Sequence, residues 1–166
     1  KLFGGEYQKP TQKLEDAVKE QFQLQGMTDK AIFNELESGI ALTFRGSLFF
    51  DPGSSEIRPE AKNMIMNVIP SIKNQQKKFF VVVEGHTDDN PIQNDKFASN
   101  WELSSLRASA VLRLFEENGF PKHNLRAIGF ADTLPIVPNR DSSGKIIAEN
   151  QNQNRRVVIK LIHASQ

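Results

Sequence analysis

The sequence predicts an α/β chain of the α+β sandwich kind: a mixed sheet with helices packed on one face, plus an N-terminal helix and hairpin. Three observations carry this expectation. Apolar stripes at helical spacing alternate along the chain with runs of strand-forming residues. One run, Phe79-Phe80-Val81-Val82-Val83, is continuously apolar, as a strand buried on both faces requires. The length of 166 residues, 38% of them hydrophobic, suits one domain with an appendage better than two full domains.

Taken in order, residues 1–10 read as a loose, Gly-containing lead-in. Leu14, Val18 and Phe22 then recur at i, i+4, i+8, with Thr11 as N-cap and Gly26 as stop. So narrow a stripe is expected to pack on a partner or on its own twin rather than deep in a core. Ile32, Asn34, Leu36 and then Ile40, Leu42, Phe44 alternate at period 2 around Ser38-Gly39, which predicts a strand pair. Residues 49–54, with Pro52-Gly53, read as a loop. Pro59 suits the first position of a helix carrying Ala61, Met64, Ile65, Val68 and Ile69, and Pro70 should kink or end it. After the strand at 79–83 comes a polar loop over 85–97. Ser99-Asn100-Trp101-Glu102 then matches a capping box for a helix bearing Leu103, Leu106, Ala110, Val111 and Leu114, stopped by Gly119. Residues 125–130 read as a strand, 132–153 as loop, and 157–162 as the closing strand. The division expected is residues 1–38, holding the helix and first hairpin strand, and residues 39–166 as the main domain.

Charge narrows the function. Twenty-one Lys and Arg against 20 Asp and Glu give a net charge of +1, without the basic excess of a nucleic-acid binder, so no nucleic-acid partner is expected. The absence of Cys removes disulfides and thiolate metal sites. No apolar stretch is long enough to span a bilayer. Since the chain opens on Lys1 without a signal-like segment, it is expected to be a piece of a longer protein whose membrane anchor lies upstream.

The chemistry concentrates between Glu84 and Ala108. A buried strand delivers Gly85-His86-Thr87-Asp88-Asp89 to a loop, and a helix follows with Leu103-Ser104-Ser105-Leu106-Arg107-Ala108. Strand ends and the loops that follow them are where such layered folds build sites. Asp88 offers a carboxylate, Arg107 a planar fork, and Asn100 both a donor and an acceptor. That trio suits a zwitterion, with the ammonium on Asp88 and the carboxylate on Arg107. An exposed Asp88–Arg107 ion pair is the plain alternative, and spacing does not separate the two.

Gly85-His86-Thr87-Asp88, Leu103-Ser104-x-x-Arg107-Ala108 and Asn154-Arg155-Arg156-Val157 stand in the order and spacing of the OmpA-like peptidoglycan-binding family, which the chain resembles over about residues 40–162. Phe50-x-x-Gly53-Ser54 before the Pro59 helix looks like that family's opening motif. Asp88-Asp89-Asn90-Pro91-Ile92 and Asn100-Trp101-Glu102-Leu103-Ser104 are most similar to its flagellar stator branch, the MotB type. The resemblance implies peptidoglycan binding without catalysis or cofactor. Asp88 would hold the ammonium and Arg107 the carboxylate of diaminopimelate in the stem peptide. Asn100 and the backbone around Thr87 would assist, and Asn154 and Arg155 would lie toward the glycan. It further implies a homodimer in the periplasm, joined to a membrane partner subunit of the stator through an upstream inner-membrane segment. A static outer-membrane tether of the OmpA or Pal kind is the alternative within the family, and a cell-wall hydrolase the alternative outside it. The sequence offers no nucleophile with a paired acid and base, which argues against the hydrolase.

Other features carry less. His86, Asp88 and Asp89 lack a further ligand at metal spacing, so no metal is expected and His86 reads as a structural histidine. Ser142-x-x-Lys145 and Gly144-Lys145 have none of their companion motifs. Trp101 is either a packing residue or a rim for a sugar.

Overall fold

The computed structural model describes residues 10–75 and 78–164. The loose lead-in expected over residues 1–10 lies outside the described residues, except that Pro10 opens the first helix. Helix α1 (Pro10–Leu24) takes Thr11 in rather than being capped by it. Gly26, at φ 67°, ends it: Met27 N donates to Phe22 O and Gly26 N to Gln23 O, a closing pattern that needs the left-handed residue.

Strands β1 (Ala31–Leu36) and β2 (Gly39–Arg45) form the expected antiparallel hairpin, with Leu36 opposite Gly39. The face of β1 that meets the core is the other one. Ile32 is 64% exposed, while Ala31 is buried and Phe33 sets its ring edge-on to Phe22 at 5.6 Å. The reason is register: Phe33 lies opposite Leu42 and Ile32 opposite Thr43, and a pleated strand cannot bury both faces here.

A short helix, α2 (Gly46–Phe49), precedes the Pro52-Gly53 loop and buries Phe49. Helix α3 (Pro59–Lys73) starts with Pro59 in its first turn and buries the predicted stripe plus Ile72. Pro70 does not end it. The helix runs on to Lys73 because Ile69 and Ile72, on either side of Pro70, are both in the core and hold the last turn down. Then come β3 (Phe79–His86), α4 (Asn100–Glu117), β4 (Leu125–Gly129), α5 (Ala148–Asn154) and β5 (Arg156–His163). Ser99 caps α4, its Oγ accepting from Trp101 N at 3.1 Å and donating to the Glu102 carboxylate. Leu106 is exposed. The inner face of α4 is Leu103, Ser104, Arg107, Ala108, Ala110, Val111, Leu114 and Phe115. Helix α5 falls where loop was expected, since its sequence Ala-Glu-Asn-Gln-Asn-Gln-Asn has no apolar stripe and is held by buried Gln151 and Asn154.

The sheet order is β1-β2-β5-β3-β4, with β3 and β4 parallel and every other pair antiparallel. Helix α4 packs on β3 and β4, and α1 packs on α3. Leu14, Val18 and Phe22 are all 0% exposed, which corrects the expectation that α1's stripe awaits an external partner. The partner is the domain itself: Phe22 meets Phe44 of β2 at 5.9 Å, and Phe44 meets Phe49 at 5.2 Å. Each such side chain contributes roughly 1.5–3 kcal/mol. The expected boundary at residues 38 and 39 thus passes through a hairpin turn and across one continuous core.

Candidate functional site

Two glycines let α4 lie directly on the sheet. A Cβ on Gly85 would stand 2.2 Å from Ser104 O, and one on Gly129 2.2 Å from Ser105 Oγ. With α4 seated this way, Ser104 Oγ donates to Trp101 O and accepts from Ala131 N at 3.0 Å. Ala131 is held at φ 51°, a left-handed conformation that costs an L-residue about 1 kcal/mol or more. Its carbonyl takes Thr87 N at 2.9 Å. The chain from Ser104 through Ala131 to Thr87 therefore fixes where strand β3 hands Asp88 to the loop. Sequence reasoning saw Ser104 only as part of a motif. Its signal was a polar residue on the buried face of an otherwise apolar helix.

A cleft of about 460 Å³ opens beside this strand end. Thr87, Asp88, Asn100, Arg107 and Arg155 line it, so five of the six expected site residues come together. The sixth does not. Asn154 is 0% exposed, and its amide is spent on the loop at 136–139. Its Oδ1 accepts from Ile136 N and Val137 N, while its Nδ2 donates to Val137 O and Asn139 Oδ1. It lies outside the cleft as a brace.

Asp88 is buried and pairs with Arg155 Nη1, its other oxygen accepting from Asn90 N at 2.9 Å. There is no Asp88–Arg107 ion pair. Arg107, 9% exposed, instead donates Nε to Ser54 O at 2.8 Å and Nη2 to Asp51 O at 3.3 Å. Its guanidinium stands over the Phe50 ring, 5.0 Å from the centroid. Burial first, and then the like charge of Arg155, pull the Arg107 pKa down to about 10 against the opposing pull of Asp88. The cleft thus contains a buried cation met by carbonyls and a ring, but by no carboxylate among the described residues. Phe50, Asp51 and Ser54, which cradle it, were legible only as a loop motif.

The rest of the wall is supported from outside. Asn100 Nδ2 donates to Asn90 O at 2.9 Å, which ties the start of α4 to the loop after Asp88. Thr87 Oγ1 donates to Asp88 O, and its N is already committed to Ala131, so neither group points to a ligand. Asp89 turns away from the cleft, accepting from Arg140 Nε at 2.6 Å and from Gln151 Nε2 at 2.8 Å. Gln151 in turn accepts from Asn90. His86 makes one of its two possible bonds, between Nε2 and Glu84 Oε1 at 2.9 Å, and stacks flat on Phe130. Its Nδ1 is buried without a partner. Trp101 is 54% exposed and does not line the cleft, so it is neither a core residue nor a wall of this site.

Comparison with known proteins places this geometry. The model of the OmpA family matches residues 49–155. Motility protein B of Bacillus subtilis is 34% identical over 146 residues, covering 81% of this chain and 51% of that protein. A putative MotB-like protein from Desulfovibrio vulgaris has the same fold, with a TM-score of 0.79, 26% identity, and coverage of 93% of this chain and 94% of that one. The periplasmic domain of Helicobacter pylori MotB aligns with a TM-score of 0.68 at 26% identity, over 81% of this chain and 80% of that one. The chain spans about half the length of the curated relatives it matches.

Proposed function

The chain belongs to the OmpA family, and from that premise we propose that it is a non-catalytic peptidoglycan-binding domain whose cleft closes on diaminopimelate of a wall stem peptide. The observation that carries this is Arg107, a buried cation without a carboxylate, in the same cleft as the buried carboxylate of Asp88. The far end of diaminopimelate bears an ammonium and a carboxylate on one carbon. The ammonium would share Asp88, and the carboxylate would take the remaining N–H donors of Arg107 as a bidentate pair. Lysine-type stems lack that carboxylate, and leaving Arg107 unmet would disfavour them.

The likeness to motility protein B supports a finer reading: anchoring of a flagellar stator to the wall, from the periplasm, by a protein held in the inner membrane through a segment outside this chain. In that reading the chains work as a homodimer beside a membrane partner subunit. The stripe on α1 is not what pairs them, because it is already buried in its own core. Sedimentation over a micromolar range tests the pairing, and a strict monomer would remove it for this chain.

The central experiment is calorimetric titration with soluble muropeptides. Wild type should bind the diaminopimelate form, and Asp88→Ala and Arg107→Ala should lose about tenfold or more. Folded variants that bind like wild type would overturn the assignment. In cells, Arg107→Ala should abolish swimming while leaving the envelope intact. Normal swimming with a leaking envelope would favour the static outer-membrane tether instead.

A further inference from the structure

The charges of the cleft do not balance. Arg107 and Arg155 stand against the single carboxylate of Asp88, and Arg155 already occupies one of its oxygens. Asp89, the next acidic residue, is turned away and held by Arg140 and Gln151. Among the described residues the Arg107 guanidinium hydrogen-bonds to backbone carbonyls and lies over the Phe50 ring, with no carboxylate in direct contact. A ligand bringing one ammonium and one carboxylate leaves that surplus in place. A ligand bringing an ammonium alone makes it worse.

We propose that the cleft selects wall peptides whose diaminopimelate keeps its side-chain carboxyl as the free acid, rejects the carboxamide, and that Arg155 is the residue that makes this choice steep. The inference rests on the diaminopimelate reading of the same site and refines it. A carboxamide is nearly isosteric with the carboxylate, so shape does not distinguish them. Charge does. The amide nitrogen would point donors at a guanidinium that has only donors to offer, and its oxygen would accept without neutralising. Amidation also converts the bound centre from a zwitterion into a net cation, facing a cleft that already carries an excess positive charge. Arg155 sharpens the penalty because it adds a second positive charge near Arg107 while Asp88 offers only one carboxylate to the two guanidinium groups. A free acid keeps the surplus at a single positive charge, and an amide raises it to two.

The test uses the whole chain and two synthetic stem tripeptides, identical except that the diaminopimelate side-chain carboxyl is free in one and amidated in the other. Both are titrated calorimetrically into wild type and into Arg155→Gln, with circular dichroism to confirm that the variant is folded. Wild type should prefer the free acid by a factor on the order of a hundred. In Arg155→Gln that ratio should shrink by about tenfold, chiefly because the amide binds better. Equal binding of the two peptides by wild type would overturn this inference and leave the anchoring reading standing. An unchanged ratio in folded Arg155→Gln would overturn the role given to Arg155. Binding of neither peptide by wild type would overturn both this inference and the diaminopimelate reading.

Discussion

Asp88 is paired with Arg155 and not with Arg107, although all three line one cleft. Arg107 is left to the carbonyls of Ser54 and Asp51. This asymmetry gives the two halves of the site opposite effects on stability.

Arg107 is a desolvated cation that folding had to bury. Replacing it with Met keeps the stem volume over Phe50 and removes the charge. The expected outcome is a melting temperature equal to or above that of wild type, together with loss of muropeptide binding. Buried charges exchanged for well-packed apolar groups behave this way. A large drop in thermal stability for Arg107→Met would mean that its two carbonyl bonds matter more than its desolvation.

Asp88→Asn should do the reverse. It removes the one carboxylate that offsets two guanidinium groups, and the cost should be about 1–2 kcal/mol, moderated because Arg155 is partly solvated. Chemical denaturation at neutral pH measures it. Adding salt should recover part of the loss, and a salt-insensitive deficit would point to lost hydrogen bonding instead.

Asn154→Ala separates a wall contact from a brace. Its four bonds to residues 136, 137 and 139 predict a stability loss of about 1–3 kcal/mol. Muropeptide affinity, measured where the variant is fully folded, should change little. A stable variant with a large affinity loss would restore the direct role expected for this residue from its motif.

Residues 1–38 should not be dispensable. Phe22→Ala is expected to cost about 3–5 kcal/mol, the usual range for emptying a fully buried ring. A chain beginning at Ser38 should lose its cooperative thermal transition, because Phe44 would lose the cover of Phe22 and β2 would lose β1. A sharp transition in the shortened chain would show instead that the segment is separable.

Glu84 sets an acid limb. Burial pushes its carboxyl up, but hydrogen bonds from His86 and Lys160 outweigh burial and hold it below its ordinary 4.5. A depressed carboxyl contributes stability that is present above the unfolded value and drains away as pH falls through the folded one. Denaturant midpoints measured from pH 7 down to pH 3 should therefore fall below about pH 4.5. Glu84→Gln should be less stable at pH 7 and show a shallower acid limb. Parallel curves for the two proteins would remove Glu84 from the account.

Much of this molecule was legible in its residues because the signals were local. Gly26 and Gly119 stop helices through their own backbone freedom, Pro59 starts one, and Ser99 caps another. The run at 79–83 reads as a strand from its residues, but only Phe79, Val81 and Val83 are buried, while Phe80 and Val82 on the other face are half-buried. Asp88, Asn100 and Arg107 were legible as a set because a strand end and the next helix start are neighbours in sequence as well as in space. What the sequence left open were relations between distant segments. Which face of β1 turns inward depends on its register with β2, and that α1 has a partner depends on Phe44 lying beneath Phe22. Helix α5 has no apolar period, since buried amides rather than burial of apolar area hold it, and so its sequence reads as loop. Asp88 and Arg155 are 67 residues apart, and only the pairing of β5 with β3 and β2 brings the guanidinium to the carboxylate. Spacing along the chain determines which groups are available. Tertiary packing decides which charge each group meets, because electrostatic partners are chosen by distance and burial in three dimensions and leave no periodic trace in the sequence.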